Sequence, residues 1–155
     1  MVYEACQKAG LCMYKKILVA CDGSLYARKA IEVSADIAQR YKSELTVITV
    51  IQHPLNGFGM FSVEELGPEA YEILKKKGNN IIREAKEQLK DHDVNSNYVL
   101  EYGNPGDTIV RYAKKNSFDL IVVGSHGYGE IMAHMLGSVS DRVNHHAHCS
   151  VLIVR

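Results

Sequence analysis

The chain has 155 residues, of which 46% are hydrophobic and 23% are charged, and its 18 basic residues balance 18 acidic ones. This length and composition fit a single globular domain with its own core, and the neutral charge balance gives no overall field that would favour nucleic acid or an anionic membrane. No apolar run approaches the roughly 20 residues of a membrane-spanning helix, so we expect no membrane span.

Residues 1–12 lack an apolar stretch of signal-peptide length, and a strand-like pattern starts soon after Met13. We therefore interpret residues 1–12 as an N-terminal extension and residues 13–155 as the domain. The cysteines are too few and too scattered to predict a disulfide framework, which favours a reduced, cytoplasmic protein; they are Cys6, Cys12, Cys21 and Cys149.

From residue 16 onward the sequence alternates between strand and helix patterns. Apolar, β-branched runs predict five strands, at residues 17–21, 45–51, 98–102, 120–123 and 150–155. Helical periodicity and capping residues predict four helices, which begin after Asp22 or Ser24, at Pro68, at Thr108 and at Ser138. Right-handed crossovers then give an α/β fold, a doubly wound five-stranded parallel sheet with helices on both faces. The order 3-2-1-4-5 places the strand reversal, where such sheets bind ligands, between the first and fourth strands.

Residues 52–67 show no sustained period and contain three glycines and one proline. About 16 residues is long for a loop in a compact domain, which indicates either a functional or a mobile segment. A lid over a ligand and a mobile insertion both fit. In the following helix, residues 78–80 (Gly-Asn-Asn) form a weak point.

The fourth strand leads into a pattern that is typical of phosphate binding. Gly124 and Gly127 follow the apolar run directly, and glycines at such a turn let backbone N–H groups approach a ligand. Gly137 and Ser138 follow after nine intervening residues. Ser138 and Asp141 together predict a capping box, and a helix N-terminus favours phosphate. The sequence therefore predicts a nucleotide site at the carboxyl end of this strand.

Simpler interpretations exist for several of these residues. Asp22 either contacts the ligand or only caps the first helix, His126 either contacts the ligand or only fills the loop, and Cys21 is expected to be a packed small residue. A cluster near the C-terminus has metal-ligand chemistry but straddles a helix end and the last strand, so we expect no metal site there; it comprises His145, His146, His148 and Cys149.

The spacing Gly124-x2-Gly127-x9-Gly137-Ser138 resembles the nucleotide-binding signature of the universal stress protein family. Three further stretches are similar to that family: residues 15–24 (Lys-Lys-Ile-Leu-Val-Ala-Cys-Asp-Gly-Ser), the Gly-Asn-Pro turn at 103–105 and the Val-Leu-Ile-Val ending. The similarity covers residues 13–155.

The resemblance implies a cytoplasmic, homodimeric, ATP-binding protein of stress response and regulation. It places Asp22 and Ala20 beside the adenosine, the Val50 backbone at the adenine edge, and the glycine-rich segments around ribose and phosphates. The implied nucleotide-binding residues are Ala20, Asp22, Val50, Gly124, His126, Gly127, Gly137, Ser138, Val139 and Ser140. Related sequences often carry a basic residue where Tyr128 stands, so ATP, ADP or AMP are all candidate ligands, with Mg²⁺ carried by the phosphates.

Two other functional classes stay open. One is an enzyme that hydrolyses ATP slowly, although the sequence contains neither a Gly-x4-Gly-Lys-[Ser/Thr] loop nor a Gly-x-Ser-x-Gly elbow. The other is a protein–protein adaptor that holds no nucleotide. For every one of these functions, the last strand is predicted to lie at the edge of the sheet. An apolar edge strand favours pairing with a second copy of the chain. The homodimer contact would involve Val151, Leu152, Ile153 and Val154.

Overall fold

The computed structural model describes residues 13–52, 67–128 and 135–155. The predicted extension at residues 1–12 and nearly all of the 52–67 segment lie outside these ranges. The described residues form a five-stranded parallel sheet of order 3-2-1-4-5 with helices on both faces, which confirms the predicted fold. Within those ranges, no helix combines the length and the apolar character that a bilayer crossing requires.

The strands lie where the apolar runs predicted them, within one residue at each end except at the start of the third strand. They are β1 (Lys16–Ala20), β2 (Glu44–Ile51), β3 (Asn95–Tyr102), β4 (Leu120–Gly124) and β5 (Ser150–Val154). β3 begins three residues earlier than predicted, at a polar Asn-Ser-Asn stretch of low strand propensity. These residues pair with the start of β2, and the Asn97 side chain donates to Glu44 Oε1 at 2.9 Å. Pairing with a neighbouring strand therefore extends β3 beyond its apolar part.

The four helices of the described ranges are α1 (Leu25–Tyr41), α2 (Pro68–Leu89), α3 (Pro105–Lys115) and α4 (Ser138–His146). Ser24 is the N-cap of α1, because its Oγ accepts from the Ala27 N–H at 3.3 Å. Asn104 caps α3 by accepting from the Asp107 N–H at 3.2 Å. α3 therefore starts three residues before the predicted Thr108, with Pro105 in its first turn, where proline is favoured.

The core lies on both faces of the two central strands. Ile17 and Val19 of β1 pack in a cluster with α1 and α2, whereas Leu18 packs in a second cluster with α3 and α4. All three side chains are completely buried. Because β1 and β4 are held from both faces and run parallel, their carboxyl ends are fixed side by side at one edge of the sheet.

Gly78 gives the middle of α2 a packing role that the sequence did not reveal. The residue is buried, and a Cβ atom there would overlap Leu100 Cδ1 of β3 and lie 3.1 Å from Ile51 Cγ1 of β2. The glycine therefore lets the helix backbone approach the sheet closely. Glycine lowers the intrinsic stability of the helix, but here it permits close packing of the helix on the sheet.

We expect Gly78→Val to lower the free energy of unfolding by about 1–3 kcal/mol, because the added side chain has to displace Leu100 or the helix. Urea denaturation followed by circular dichroism measures this. Asn79→Val places the same side chain on the exposed neighbouring position and should change stability by about 0.5 kcal/mol or less. Equal effects of the two substitutions would show that the close approach at Gly78 is unimportant.

Candidate functional site

A cavity of about 430 Å³ opens at the edge of the sheet where the carboxyl ends of β1 and β4 lie side by side. This is the reversal point of the strand order, the usual ligand position in such sheets. The structure brings all ten predicted site residues to its walls, namely Ala20, Asp22, Val50, Gly124, His126, Gly127, Gly137, Ser138, Val139 and Ser140. Their roles toward a ligand stay predictions.

The glycines of the signature serve close packing. A Cβ atom on Gly124 would lie 2.8 Å from the Tyr26 carbonyl carbon of α1, and one on Gly127 would lie 2.7 Å from Asp22 Oδ2. Neither has a positive φ; among the described glycines only Gly23 (φ 86°) and Gly103 (φ 136°) do. The signature glycines therefore let the loops after β1 and β4 meet α1 and each other.

The prediction that Ser138 caps α4 is wrong. Gly137 is the N-cap and Ser138 is the first helical residue, without a side-chain capping bond. The shift of one position puts Ser140, not Asp141, three residues after the cap, so the Ser138–Asp141 capping box does not form. The Asp141 N–H instead donates to the Gly137 carbonyl at 2.9 Å.

The first turn of α4 nevertheless faces the cavity. The N–H groups of Ser138, Val139 and Ser140 precede the first intrahelical bond, so helix geometry gives them no intrahelical acceptor. All three residues line the cavity. The Ser140 hydroxyl is already bonded inside the protein, because it lies 2.9 Å from the carbonyl oxygens of both Gly137 and Ser125. Ser140 therefore offers an anion its backbone N–H and not its hydroxyl hydrogen.

Ser125 was missed by the sequence reasoning, although it holds this end of the site together. It is 1% exposed. Its N–H donates to the Val154 carbonyl of β5 at 2.7 Å, and its own carbonyl accepts from the Gly137 N–H at 2.8 Å. The only sequence signal was its place between a strand end and a glycine.

His126 positions the loop through both ring nitrogens. Nε2 lies 2.6 Å from the Met135 carbonyl oxygen and Nδ1 lies 3.0 Å from Ser125 Oγ. A neutral imidazole with its proton on Nε2 satisfies both contacts, with the serine hydroxyl donating to Nδ1. The ring also packs against Tyr26, with centroids 5.5 Å apart. Since both nitrogens are engaged, His126 has only its backbone left for a ligand.

Asp22 supports the turn before α1 and also faces the cavity, whereas the N-cap of α1 is Ser24; contact of Asp22 with a ligand stays a prediction. Its Oδ1 accepts from the Ser24 N–H at 2.9 Å, which supports the turn before α1, while Oδ2 faces Gly127 across the cavity mouth. The neighbouring Cys21 is 5% exposed, and burial raises the pKa of its thiol to about 11. Cys21 is thus a packed, protonated residue, as expected.

The remaining lining residues, which the sequence analysis did not assign to the site, are mostly apolar. Ile48, Ile109 and Val123 belong to the same core cluster, so they extend that core to the cavity wall. The Gly-Asn-Pro turn at 103–105 could have predicted one of these lining residues, because it brings Pro105 to the cavity. Tyr128 lies at the mouth with most of its side chain exposed; partial loss of water around its hydroxyl, and then the charge of Asp22, raise the pKa of Tyr128.

Of the histidines near the C-terminus, His145 has a local contact. His145 Nδ1 lies 2.9 Å from the Asp141 carbonyl oxygen, one turn earlier in α4. Within the ranges that the structure describes, no three His, Cys, Asp or Glu side chains are placed to share a metal ion.

Comparison with known proteins agrees with this geometry. The model of the universal stress protein family matches residues 13–155. Universal stress protein YxiE of Bacillus subtilis is 34% identical over 149 residues, which cover 92% of this chain and 100% of that protein. The solved structure of protein MJ0577 superposes with a TM-score of 0.76 at 29% identity, covering 92% of this chain and 96% of that one. A universal stress protein solved in complex with cAMP superposes with a TM-score of 0.69 at 27% identity, covering 92% and 98%. The chain belongs to the universal stress protein family.

Proposed function

We propose that this protein is a regulatory stress-response protein that binds an adenine nucleotide in the cavity between the carboxyl ends of β1 and β4. The observation that carries this proposal is the joint placement of the Gly127 loop and the N-terminus of α4 on one cavity wall. Free backbone N–H groups and a helix dipole suit a phosphate there. The cAMP complex of a relative with the same fold supports an adenine nucleotide as the ligand class.

The two ends of the cavity suit the two ends of such a ligand. Apolar side chains on the β2 and α3 side, such as Ile48, Val50 and Ile109, offer a surface for a purine. The glycine-rich side offers backbone donors without side-chain bulk. In this orientation Asp22 lies between them, within reach of ribose hydroxyl groups that donate to a carboxylate.

A binding module fits the site better than a hydrolase. Activation of water for attack on a phosphate needs a positioned base. The His126 nitrogens are both bonded within the protein, and one Asp22 oxygen already accepts from Ser24. Mass spectrometry of the ligand released from denatured protein, combined with a phosphate-release assay, separates the alternatives. Retained nucleotide without hydrolysis supports the binding module, and sustained phosphate release supports an enzyme. A protein that is purified without nucleotide and does not bind added nucleotide supports an adaptor.

We expect Gly127→Val to abolish nucleotide binding while leaving the fold intact. The new side chain would project toward Asp22 Oδ2 and occupy the mouth of the cavity, where the neighbouring carboxylate can move toward solvent. Isothermal titration with AMP and with Mg²⁺-ATP measures the loss, and circular dichroism monitors the fold. Gly137→Val is a less clean test, because its Cβ would lie 3.2 Å from the Ser125 carbonyl oxygen and disturb the loop itself.

Gly67→Val is the matched control for this experiment. A Cβ atom at Gly67 meets nothing within 4 Å, and the residue does not line the cavity. This variant should bind nucleotide as the unmodified protein does. Normal binding by Gly127→Val would mean that the site is assigned to the wrong place.

Asp22→Ala should weaken nucleotide binding by roughly tenfold or more, the loss expected when a hydrogen bond to a charged group is removed. The substitution would remove either a hydrogen bond to the nucleoside or an interaction with a magnesium ion carried by the phosphates. Titrations with and without Mg²⁺ separate these two causes. Because Asp22 also accepts from the Ser24 N–H, Asp22→Asn serves as the variant that keeps an acceptor for the turn. Unchanged affinity in Asp22→Ala would reduce Asp22 to a structural role before α1.

We further propose that two copies of the protein associate through β5. β5 is the outermost strand of the sheet beside β4, and four consecutive apolar residues of it are each only partly buried, namely Val151, Leu152, Ile153 and Val154. An edge strand of this kind presents unpaired N–H and C=O groups. Antiparallel pairing of two such edges about a two-fold axis would satisfy them.

Light scattering should therefore give twice the 17.3 kDa mass of one chain at micromolar concentration. Ile153→Pro removes a strand N–H and should yield monomer or aggregate. Proline at Leu152 is a harsher variant, because the backbone of Leu152 faces β4, as that of Val154 does where its carbonyl accepts from Ser125. Deletion of residues 151–155 is more disruptive, since it also removes the Val154 carbonyl that Ser125 donates to. A monomeric unmodified protein would exclude this interface.

A further inference from the structure

Two pairs of tyrosine rings are in contact within the part of the chain that the structure describes, and the two pairs differ in orientation. Tyr71 and Tyr102 stack with their centroids 5.7 Å apart and an angle of 29° between the ring planes. Tyr14 and Tyr41 lie at a similar distance of 5.8 Å, but they meet edge to face at 78°. All four side chains are partly buried. The two pairs therefore differ in geometry and not in proximity or class of burial.

The packing of α2 on the sheet holds the stacked pair in place. Tyr102 is the last residue of β3 and pairs with Ile51 of β2. Tyr102 and Leu100 point to the same face of the sheet, where Leu100 lies against Gly78 of α2. Tyr71 lies about two helical turns before Gly78, and so on the same side of α2. The close approach of the helix at Gly78 therefore brings the ring of Tyr71 onto that of Tyr102.

The two phenol groups also interact through their oxygens. Partial loss of water around the Tyr102 hydroxyl, and then its hydrogen bond with Tyr71, raise the pKa of Tyr102 to about 12. Lys75 Nζ lies 5.9 Å from the centroid of the Tyr71 ring, and this cation–π contact favours a fixed orientation of the ring. The hydroxyl-bearing ends of the two rings thus lie side by side. The ring carbons ortho to the hydroxyls are therefore neighbours across the stack.

Stacking is the geometry in which two tyrosyl radicals couple. A phenol that loses one electron and its proton becomes a neutral radical, and the unpaired electron occupies the π system with much of its density on the ortho carbons. These π orbitals stand perpendicular to the ring, so two stacked rings direct them at each other. In an edge-to-face pair, one ring presents its C–H bonds instead. Alignment of the reacting orbitals therefore favours coupling in the stacked pair.

We propose that Tyr71 and Tyr102 form a site of oxidative modification, at which a one-electron oxidant joins the two rings as dityrosine. An oxidant of the class of a peroxidase ferryl haem removes one electron from each phenol, and each phenol proton passes to water. One C–C bond then forms between an ortho carbon of Tyr71 and an ortho carbon of Tyr102. The hydrogens on these two carbons leave as protons, and both oxygens are protonated again. The chain loses two electrons and two protons, which reduce one hydrogen peroxide to two water molecules.

The cross-link would tie the first turn of α2 to the carboxyl end of β3. These elements are distant along the chain, so a covalent bond between them restricts the unfolded state and stabilises the contact of α2 with the sheet. A nucleotide takes no part in the reaction. The modification is therefore independent of the proposed function.

The test exposes the purified protein at micromolar concentration to a haem peroxidase and hydrogen peroxide. Dityrosine fluorescence follows the reaction, and mass spectrometry after trypsin digestion locates the product, since lysines and arginines lie between Tyr71 and Tyr102. We expect a joined pair of peptides that contains both residues and is lighter by two hydrogen atoms than its parts. Tyr71→Phe and Tyr102→Phe should each lower the yield of intramolecular cross-link by about tenfold or more, because each removes one of the two adjacent phenols.

The edge-to-face pair supplies matched controls. Tyr14→Phe and Tyr41→Phe each remove a phenol from a pair of nearly equal spacing, and they should leave the yield of the Tyr71–Tyr102 cross-link unchanged. Phenylalanine keeps the ring and its packing in all four variants. Circular dichroism before oxidation confirms that each variant is folded.

Three results would overturn the proposal. The first is a fluorescence yield in Tyr71→Phe or Tyr102→Phe equal to that of the unmodified protein. The second is a peptide pair joining Tyr14 to Tyr41 in the same yield, which would remove the role of stacking. The third is the formation of only cross-links between two chains, or of no dityrosine at all, in the unmodified protein.

Discussion

The backbone bonds of Ser125 are the constraint on which the candidate site depends. One peptide unit after β4, this buried residue donates to the Val154 carbonyl and accepts from the Gly137 N–H. β4, β5 and the start of α4 therefore share one anchoring point. A buried backbone group without its partner costs about 1–3 kcal/mol, so displacement of α4 from this position is unfavourable. The direction in which the first turn of α4 points follows from this anchor.

The rest of the fold supplies a rigid frame for that anchor. Ile17 and Val19 fill one face of the sheet and Leu18 fills the other, so β1 cannot shift without opening a core on either side. The loops after β1 and β4 then meet through Asp22 and Gly127. A cavity bounded by such fixed backbone is preorganised, which reduces the ordering cost of ligand binding.

Sequence patterns were sufficient for the fold because burial on both faces leaves a continuous apolar run in each central strand. They also located the cavity, since parallel strands end at one edge and Gly124 and Gly127 mark the end of β4. The patterns failed where a contact between distant residues decides the outcome. Ser138 has the chemistry of a cap, but bonds from Gly137 and Ser140 to Ser125 place the helix start one residue earlier.

Two further features could not be predicted from the sequence, because they too depend on contacts with residues elsewhere in the fold. The polar start of β3 becomes strand only because β2 continues beside it. His126 gives no local sign that its ring nitrogens bond to Ser125 and Met135, because Met135 is nine positions away along the chain. Local propensity carries no information on such partners.

The thiol of Cys21 has a consequence for redox chemistry. Burial raises the pKa of Cys21 to about 11, so the thiol is protonated at neutral pH and little of the nucleophilic thiolate forms. Peroxides and disulfides react with thiolates, and they meet in this cavity wall a group that is protonated and 5% exposed. Because the thiolate is the reactive form, we expect Cys21 to react slowly with oxidants and to serve the cavity wall as a packing residue.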